Sequence, residues 1–145
     1  MADLVAVEVA ERAASGCPVR LIEDDGKPIL IEGDPVALRR VIANLIENAI
    51  KFGRSSVEVR IEQGPEICRV LVDDDGPGIR EEDRAAIFTP FYRADASRSR
   101  EHGGTGLGLA IAKQIIDAHG GMIIACRSAL GGACLDIRLP LDGPR

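Results

Sequence analysis

Gly103-Gly-Thr-Gly-Leu-Gly-Leu109 runs straight into Ala110-Ile-Ala-Lys-Gln-Ile-Ile116, which has the apolar spacing of a helix. A glycine-rich run that opens a helix brings bare amides to the helix start. Unpaired N–H groups and the positive end of the dipole there favour an anion such as phosphate. The preceding segment, Arg93 to His102, is polar without an apolar period, so it reads as a mobile loop and not as a strand. A Rossmann turn needs GxGxxG after a strand near the start of the chain, whereas Gly104-Thr-Gly106-Leu-Gly108 is GxGxG and comes late. GxxxxGK[ST] is absent, which excludes a Walker loop. The HRD and DFG elements that accompany the glycine loop of eukaryotic-type kinases are absent too.

The 145 residues suit one domain with a single core. Aromatic residues make up only 3% and Trp is missing, so that core must be aliphatic. A net charge of −5 argues against a broad nucleic-acid surface, although local basic groups can still grip a small anion. No stretch reads as a membrane span or a signal peptide. Cys17, Cys68, Cys126 and Cys134 show neither CxxC nor metal spacing, and there are two His. They read as reduced structural thiols in a cytosolic protein rather than a zinc site.

The punctuation of the chain gives its elements. Leu4 to Ala14 reads as a short helix capped by Asp3. Val19 to Ile22 and Pro28 to Ile31 flank Asp24-Asp25-Gly26 and read as a hairpin. Asp34-Pro35 opens a helix that runs to about Phe52 and stops at Gly53. Strands follow at Val57 to Ile61 and Ile67 to Val72, then a short helix at Glu82 to Phe88. After the glycine run, a helix to Ala118 precedes closing strands at Met122 to Arg127 and Ala133 to Leu139. The result is an α/β chain of the α+β two-layer type, with an antiparallel or mixed sheet covered on one face by helices.

Two motifs inside this frame carry chemistry. On the helix from Asp34, the stripe of Leu38, Val41, Ile42, Leu45, Ile46, Ala49 and Ile50 faces a core, while Asn44, Glu47, Asn48 and Lys51 line a second face. One reading of that face is plain solvation. The other is an amide ligand for Mg²⁺ beside a lysine that reaches phosphate. The second motif, Asp73-Asp74-Asp75-Gly76-Pro77-Gly78-Ile79, breaks a strand. A calcium loop fits poorly, because Leu71 stands where the first carboxylate ligand belongs. A buried carboxylate there can accept from the exocyclic amine of adenine, and Gly76 and Gly78 would let the backbone approach the base.

Four motifs stand in order and resemble the boxes of sensor histidine kinases. Asn44-Leu-Ile-Glu-Asn48-Ala-Ile-Lys51-Phe52 resembles the N box. Asp74-Asp75-Gly76-Pro77-Gly78-Ile79 resembles the first glycine box. Ile87-Phe88-Thr-Pro90-Phe91-Tyr92-Arg93 resembles the F box, and Gly104-Thr-Gly106-Leu-Gly108-Leu109 the second glycine box. The chain is identified as similar to the catalytic, ATP-binding domain of a bacterial two-component sensor kinase. Met1-Ala-Asp-Leu4 and the form of the first glycine box suggest the EnvZ-like group.

The resemblance implies the Bergerat fold, a single domain over 1–145 with its core at about 34–139, a lead-in helix at 1–16 and an ATP lid at 93–104. It implies that Asp74 binds adenine and that Asn48 ligates Mg²⁺ with Asn44 nearby. Lys51 and Arg93 would neutralise phosphates, helped by Arg98. Gly103, Gly104, Thr105, Gly106, Leu107 and Gly108 would supply lid amides, and Phe52, Gly76, Gly78, Ile79 and Tyr92 would line the nucleotide site. Asn44, Glu47, Lys51 and Arg93 are the catalytic candidates, with Glu47 as a helper. Phe52 stands where the family often has Tyr, so no hydroxyl is available there. Phe88 and Phe91 would anchor the lid, and His119 would end a helix.

The implied reaction moves the γ-phosphoryl of Mg-ATP to a His on a separate helical dimerisation domain, with a response regulator downstream. The fragment would be monomeric and cytoplasmic, without nucleic-acid or membrane contact, and its parent can be an inner-membrane receptor. An anti-sigma-type serine kinase and a hydrolase or degenerate ATP-binding module stay open. Against the hydrolase, Asn44 stands where related ATPases carry a basic Glu.

Overall fold

Val57, Val59 and Ile61 alternate with Glu58, Arg60 and Glu62, a period of two that makes β2 (Val57–Gln63) a strand with one dry face. The computed structural model describes residues 2–14, 19–22, 31, 33–91 and 107–141. β2 pairs antiparallel with β3 (Ile67–Asp74), and β3 pairs antiparallel with β5 (Ala133–Pro140). β4 (Met122–Arg127) closes one edge against β5, and β1 (Val19–Ile22) lies parallel to β2 at the other. The order β1-β2-β3-β5-β4 is therefore a mixed sheet. Val19 faces Val57 in a parallel pair, so β1 belongs to β2. The second arm of the expected hairpin lies outside the described residues except Ile31, which packs against the core.

α2 (Pro35–Phe52) and α3 (Gly108–Ala118) supply the helical layer. Asp34 caps α2 by accepting from the amides of Val36 and Ala37 at 3.0 and 3.3 Å, with Pro35 in the first turn. The last member expected, Ile50, is partly buried, and the rest of the α2 stripe, Leu38, Val41, Ile42, Leu45, Ile46 and Ala49, is buried as expected. It joins Val57, Val59, Val70, Val72, Ile116, Leu135 and Ile137 in one aliphatic core that includes Phe88 as its aromatic member.

α1 spans Ala2–Ala14, so the helix already includes Asp3 and that residue is not its cap. Val5 and Val9 of α1 enter the core, and Glu8, 3% exposed, pairs with Arg12 and Arg39. The expected helix at 82–88 is instead two 3₁₀ turns, Glu81–Asp83 and Ala86–Phe88. Pro90 disfavours a helical conformation at Thr89, whose ψ is 134°, so the segment has too little length for an α-helix. His119 does end α3. It also ties α3 to α2, because its Nε2 accepts from the Asp34 amide at 3.0 Å while Nδ1 donates to the Ile115 carbonyl at 2.8 Å.

Candidate nucleotide site

Residues of even number in β3 share the parity of Val70 and Val72, so Asp74 ends the strand on the side that faces the helices. It is 5% exposed. Its Oδ1 accepts from the amide of Gly76 at 2.9 Å and from that of Ala133 at 3.2 Å, and its own carbonyl accepts from Gly132 at 3.1 Å. Both side-chain hydrogen bonds go to one oxygen, so Oδ2 is left without a partner among the described residues. Burial pushes the Asp74 carboxyl above the ordinary aspartate range, against the pull of the two backbone donors.

The flanking aspartates have other tasks. Asp73 lies on the opposite face, where it accepts from the Ser128 hydroxyl at 2.8 Å and from Arg60 at 3.2 Å. Asp75 gathers the chain that leaves α2. It accepts from the amides of Arg54, Ser55 and Ser56 at 2.8, 3.0 and 3.1 Å, and from the Ser55 hydroxyl at 2.6 Å. Those bonds, the Ser55 hydroxyl foremost, hold its carboxyl far below the usual range. Sequence reasoning missed this clamp. The Ser55-Ser56 pair directly after a helix end was the available signal.

The glycines of the turn are needed for contacts within the protein. A Cβ on Gly76 would sit 2.1 Å from the Phe52 carbonyl, so Gly76 lets the end of α2 press on the turn. Gly78 adopts φ +80°, a left-handed conformation that suits glycine. Gly132, which the sequence pointed to only as part of a strand connection, approaches Asp74 so closely that a Cβ would lie 2.3 Å from Oδ1. The β4–β5 turn is thus part of the site.

On α2, Asn44, Asn48 and Lys51 are half-buried in the row expected. Asn44 Nδ2 donates to the Gly108 carbonyl at 3.2 Å and so couples the polar row to the first residue of α3. With the amide nitrogen committed, its oxygen is the end that can meet a cation. Glu47 is exposed and held by Arg12 of α1 at 2.6 Å, so its carboxylate is tied to the lead-in helix. Phe52, Ile79, Leu107 and Gly108 lie among the described residues, whereas Tyr92, Arg93, Arg98, Gly103, Gly104, Thr105 and Gly106 lie outside them. Of the two expected lid anchors, Phe88 is buried in the core and Phe91 is 69% exposed.

Residues 33–143 match the model of a family described as Histidine kinase-, DNA gyrase B-, and HSP90-like ATPase. Over 114 residues, 79% of its length, the chain is 46% identical to Sensor histidine kinase CpxA of Escherichia coli (strain K12). It spans only 25% of that relative. Its fold matches the nucleotide-free catalytic domain of histidine kinase ThkA at a TM-score of 0.83 and 27% identity, covering 98% of this chain and 93% of that one. The NMR structure of the histidine kinase domain of the E. coli osmosensor EnvZ gives a TM-score of 0.72 and 32% identity, covering 98% of this chain and 86% of that one. The chain therefore belongs to the histidine kinase-type ATPase family and has the fold of sensor histidine kinase catalytic domains. The expected Bergerat-type mixed sheet backed by helices is borne out.

Proposed function

We propose that this chain binds Mg-ATP and delivers its γ-phosphoryl group to a histidine on a helical dimerisation domain, in a pathway that continues to a response regulator. The observation that carries this reading is Asp74, a buried carboxylate with one oxygen spoken for and the other without a described partner. The second oxygen can accept from the adenine amine. Guanine would set a carbonyl against it, and two acceptors that face each other reject the wrong base.

The rest follows from charge and position. Lys51, at the end of the polar row, would draw in the phosphates. Asn48, supported by Asn44, offers the hard amide oxygen that Mg²⁺ accepts, with most of the metal's remaining ligands coming from phosphates and water. When bound, the cation would neutralise phosphate charge. The α3 start at Leu107 and Gly108 offers amides to the phosphate chain. Arg93 and Arg98 are proposed to add positive charge from the lid. Phosphoryl transfer needs this positioning and neutralisation more than covalent help from the protein. Glu47, paired with Arg12, is proposed as a helper and not as a general base.

Incubation of the chain with γ-labelled ATP, alone and with a purified helical acceptor domain, tests the reading. The expected result is label on the acceptor only, stable in base and labile in acid. Stable label on this chain alone, or an acid-stable product, would overturn it.

A further inference from the structure

Cys126 on β4 and Cys134 on β5 are direct partners in the antiparallel ladder. Residues directly opposite share one face of the sheet, here the face turned away from the helices, with Asp73 and Asp136. The Ser128 amide donates to the Gly132 carbonyl at 2.9 Å. By the alternation of the ladder, Cys126 and Cys134 then form a hydrogen-bonded pair with Cα atoms about 5.5 Å apart. Disulfides span Cα separations of roughly 4.4–6.8 Å. The Cys126 thiol leans across the ladder and donates to the Cys134 carbonyl at 3.6 Å. Access differs between the two thiols. Cys126 is partly exposed, whereas Cys134 is 2% exposed. Burial, with Asp73 and Cys126 beside it, keeps the Cys134 thiol protonated. Cys68 sits on the helix-facing side of the sheet, fully buried, and the ladder sets Gln63 and Leu139 opposite it.

We propose that Cys126 and Cys134 are a reversible redox pair, closed to a disulfide by a peroxide, and that closure loosens the grip of the β4–β5 turn on Asp74. Cys126, the reachable thiol, attacks the peroxide and becomes a sulfenic acid, releasing water (or an alcohol from an organic peroxide). Cys134 then attacks the sulfenic sulfur as its thiol proton passes to the departing hydroxyl, which leaves as a second water while the S–S bond forms. Two thiols lose two electrons in all, and the O–O bond takes them up. Transient disulfides of this kind are how thiols act in a reducing compartment.

The ladder transmits the change. In a hydrogen-bonded pair the Cβ atoms lie at the wide end of about 4.5–5.5 Å, and a disulfide needs about 3.8 Å, so closure must draw the two strands together. The contraction falls one residue from Ala133, whose amide holds Asp74 Oδ1 at 3.2 Å. The consequence for ATP rests on the adenine reading of Asp74 proposed above. The formation of the disulfide does not.

Peroxide treatment of the whole chain followed by tryptic mapping tests the first part. The expected product links peptide 114–127 to peptide 128–138, is lighter by two hydrogen atoms, and reverts with dithiothreitol. Its absence, or sulfinic acid at Cys126 with Cys134 intact, would overturn the pair. Calorimetric titration with ATP tests the second part. Oxidation should weaken ATP about tenfold, as expected for the disturbance of a hydrogen bond to a charged group. Cys126→Ser, at the partly exposed position, should bind ATP like the reduced protein with or without peroxide. A linked protein with unchanged ATP affinity overturns the coupling. Asp74→Asn measured under reducing conditions separates this from a failure of the adenine reading, since only that failure would leave its affinity unchanged.

Discussion

Two neighbouring carboxylates mark two sides of one turn, and their surroundings are opposite. On the helix-facing side, Asp74 is buried with two backbone donors on one oxygen. On the side of the α2 exit, Asp75 is half-exposed and accepts from three amides and a hydroxyl. Burial raises the first pKa and hydrogen bonds lower the second. The difference assigns the work. Asp75 uses its charge to hold the α2 exit to the turn, and Asp74 is proposed to keep an acceptor ready for a ligand at a cost to the fold.

The strongest way to break this contrast is Asp74→Asn. ATP affinity is expected to fall about a hundredfold, because an acceptor is exchanged for an amide beside the adenine amine. The fold should not suffer. The folded protein holds the Asp74 proton to a higher pH than the unfolded chain does. The stability linked to this group is therefore lost as pH rises through that interval, and the neutral amide removes the penalty. Calorimetric titration for ATP and urea unfolding at neutral pH check both halves. Lost affinity together with lost stability would mean that Asp74 is structural.

Gly132→Ala attacks the same side through its packing. The new Cβ would lie 2.3 Å from Asp74 Oδ1 and 2.6 Å from the Gly76 amide, so the turn must move. A stability loss of about 2 kcal/mol is expected. It should appear as a lower urea midpoint with an unchanged slope, since the unfolded surface is the same.

The smallest effect belongs to the other side. Asp75→Asn should lower stability at pH 7 modestly, because the group is partly solvated. Its depressed pKa gives the sign. The contribution of the carboxylate is present above the unfolded pKa and is lost as pH falls through the folded one. The variant should therefore flatten the acid limb of the stability profile, read by thermal unfolding from pH 7 to acid, while ATP affinity barely changes. A large loss of ATP affinity would erase the distinction between the two residues.

Much of the fold was legible because its signals are local. Asp34-Pro35 starts α2 and Gly53 stops it where the residue types say they should. The period-two pattern of Val57, Val59 and Ile61 gives a strand whatever it pairs with. Asp74 was legible as a candidate through its place in the first glycine box, which the resemblance carries, since the acidic turn alone does not separate it from Asp73 and Asp75. The capture of Glu47 by Arg12 was not, since 35 residues separate them. Nor was the approach of Gly132 to Asp74, which brings a turn far along the chain onto the end of β3. The 82–88 segment misled because its composition favours helix, while Pro90 shortens the space available.

The sequence by itself determined the order of elements, the apolar stripe of α2, and the four boxes that mark the family. These depend on backbone preferences and side-chain periods acting within a few residues. The tertiary structure decided which of the two buried aspartates, Asp73 or Asp74, faces the helices and that β1 runs parallel to β2. It also decided that Cys126 lies opposite Cys134 in the ladder, and that Gly76 makes room for the Phe52 carbonyl. Burial and strand register are set by surfaces that meet only when distant segments pack, so no local pattern encodes them.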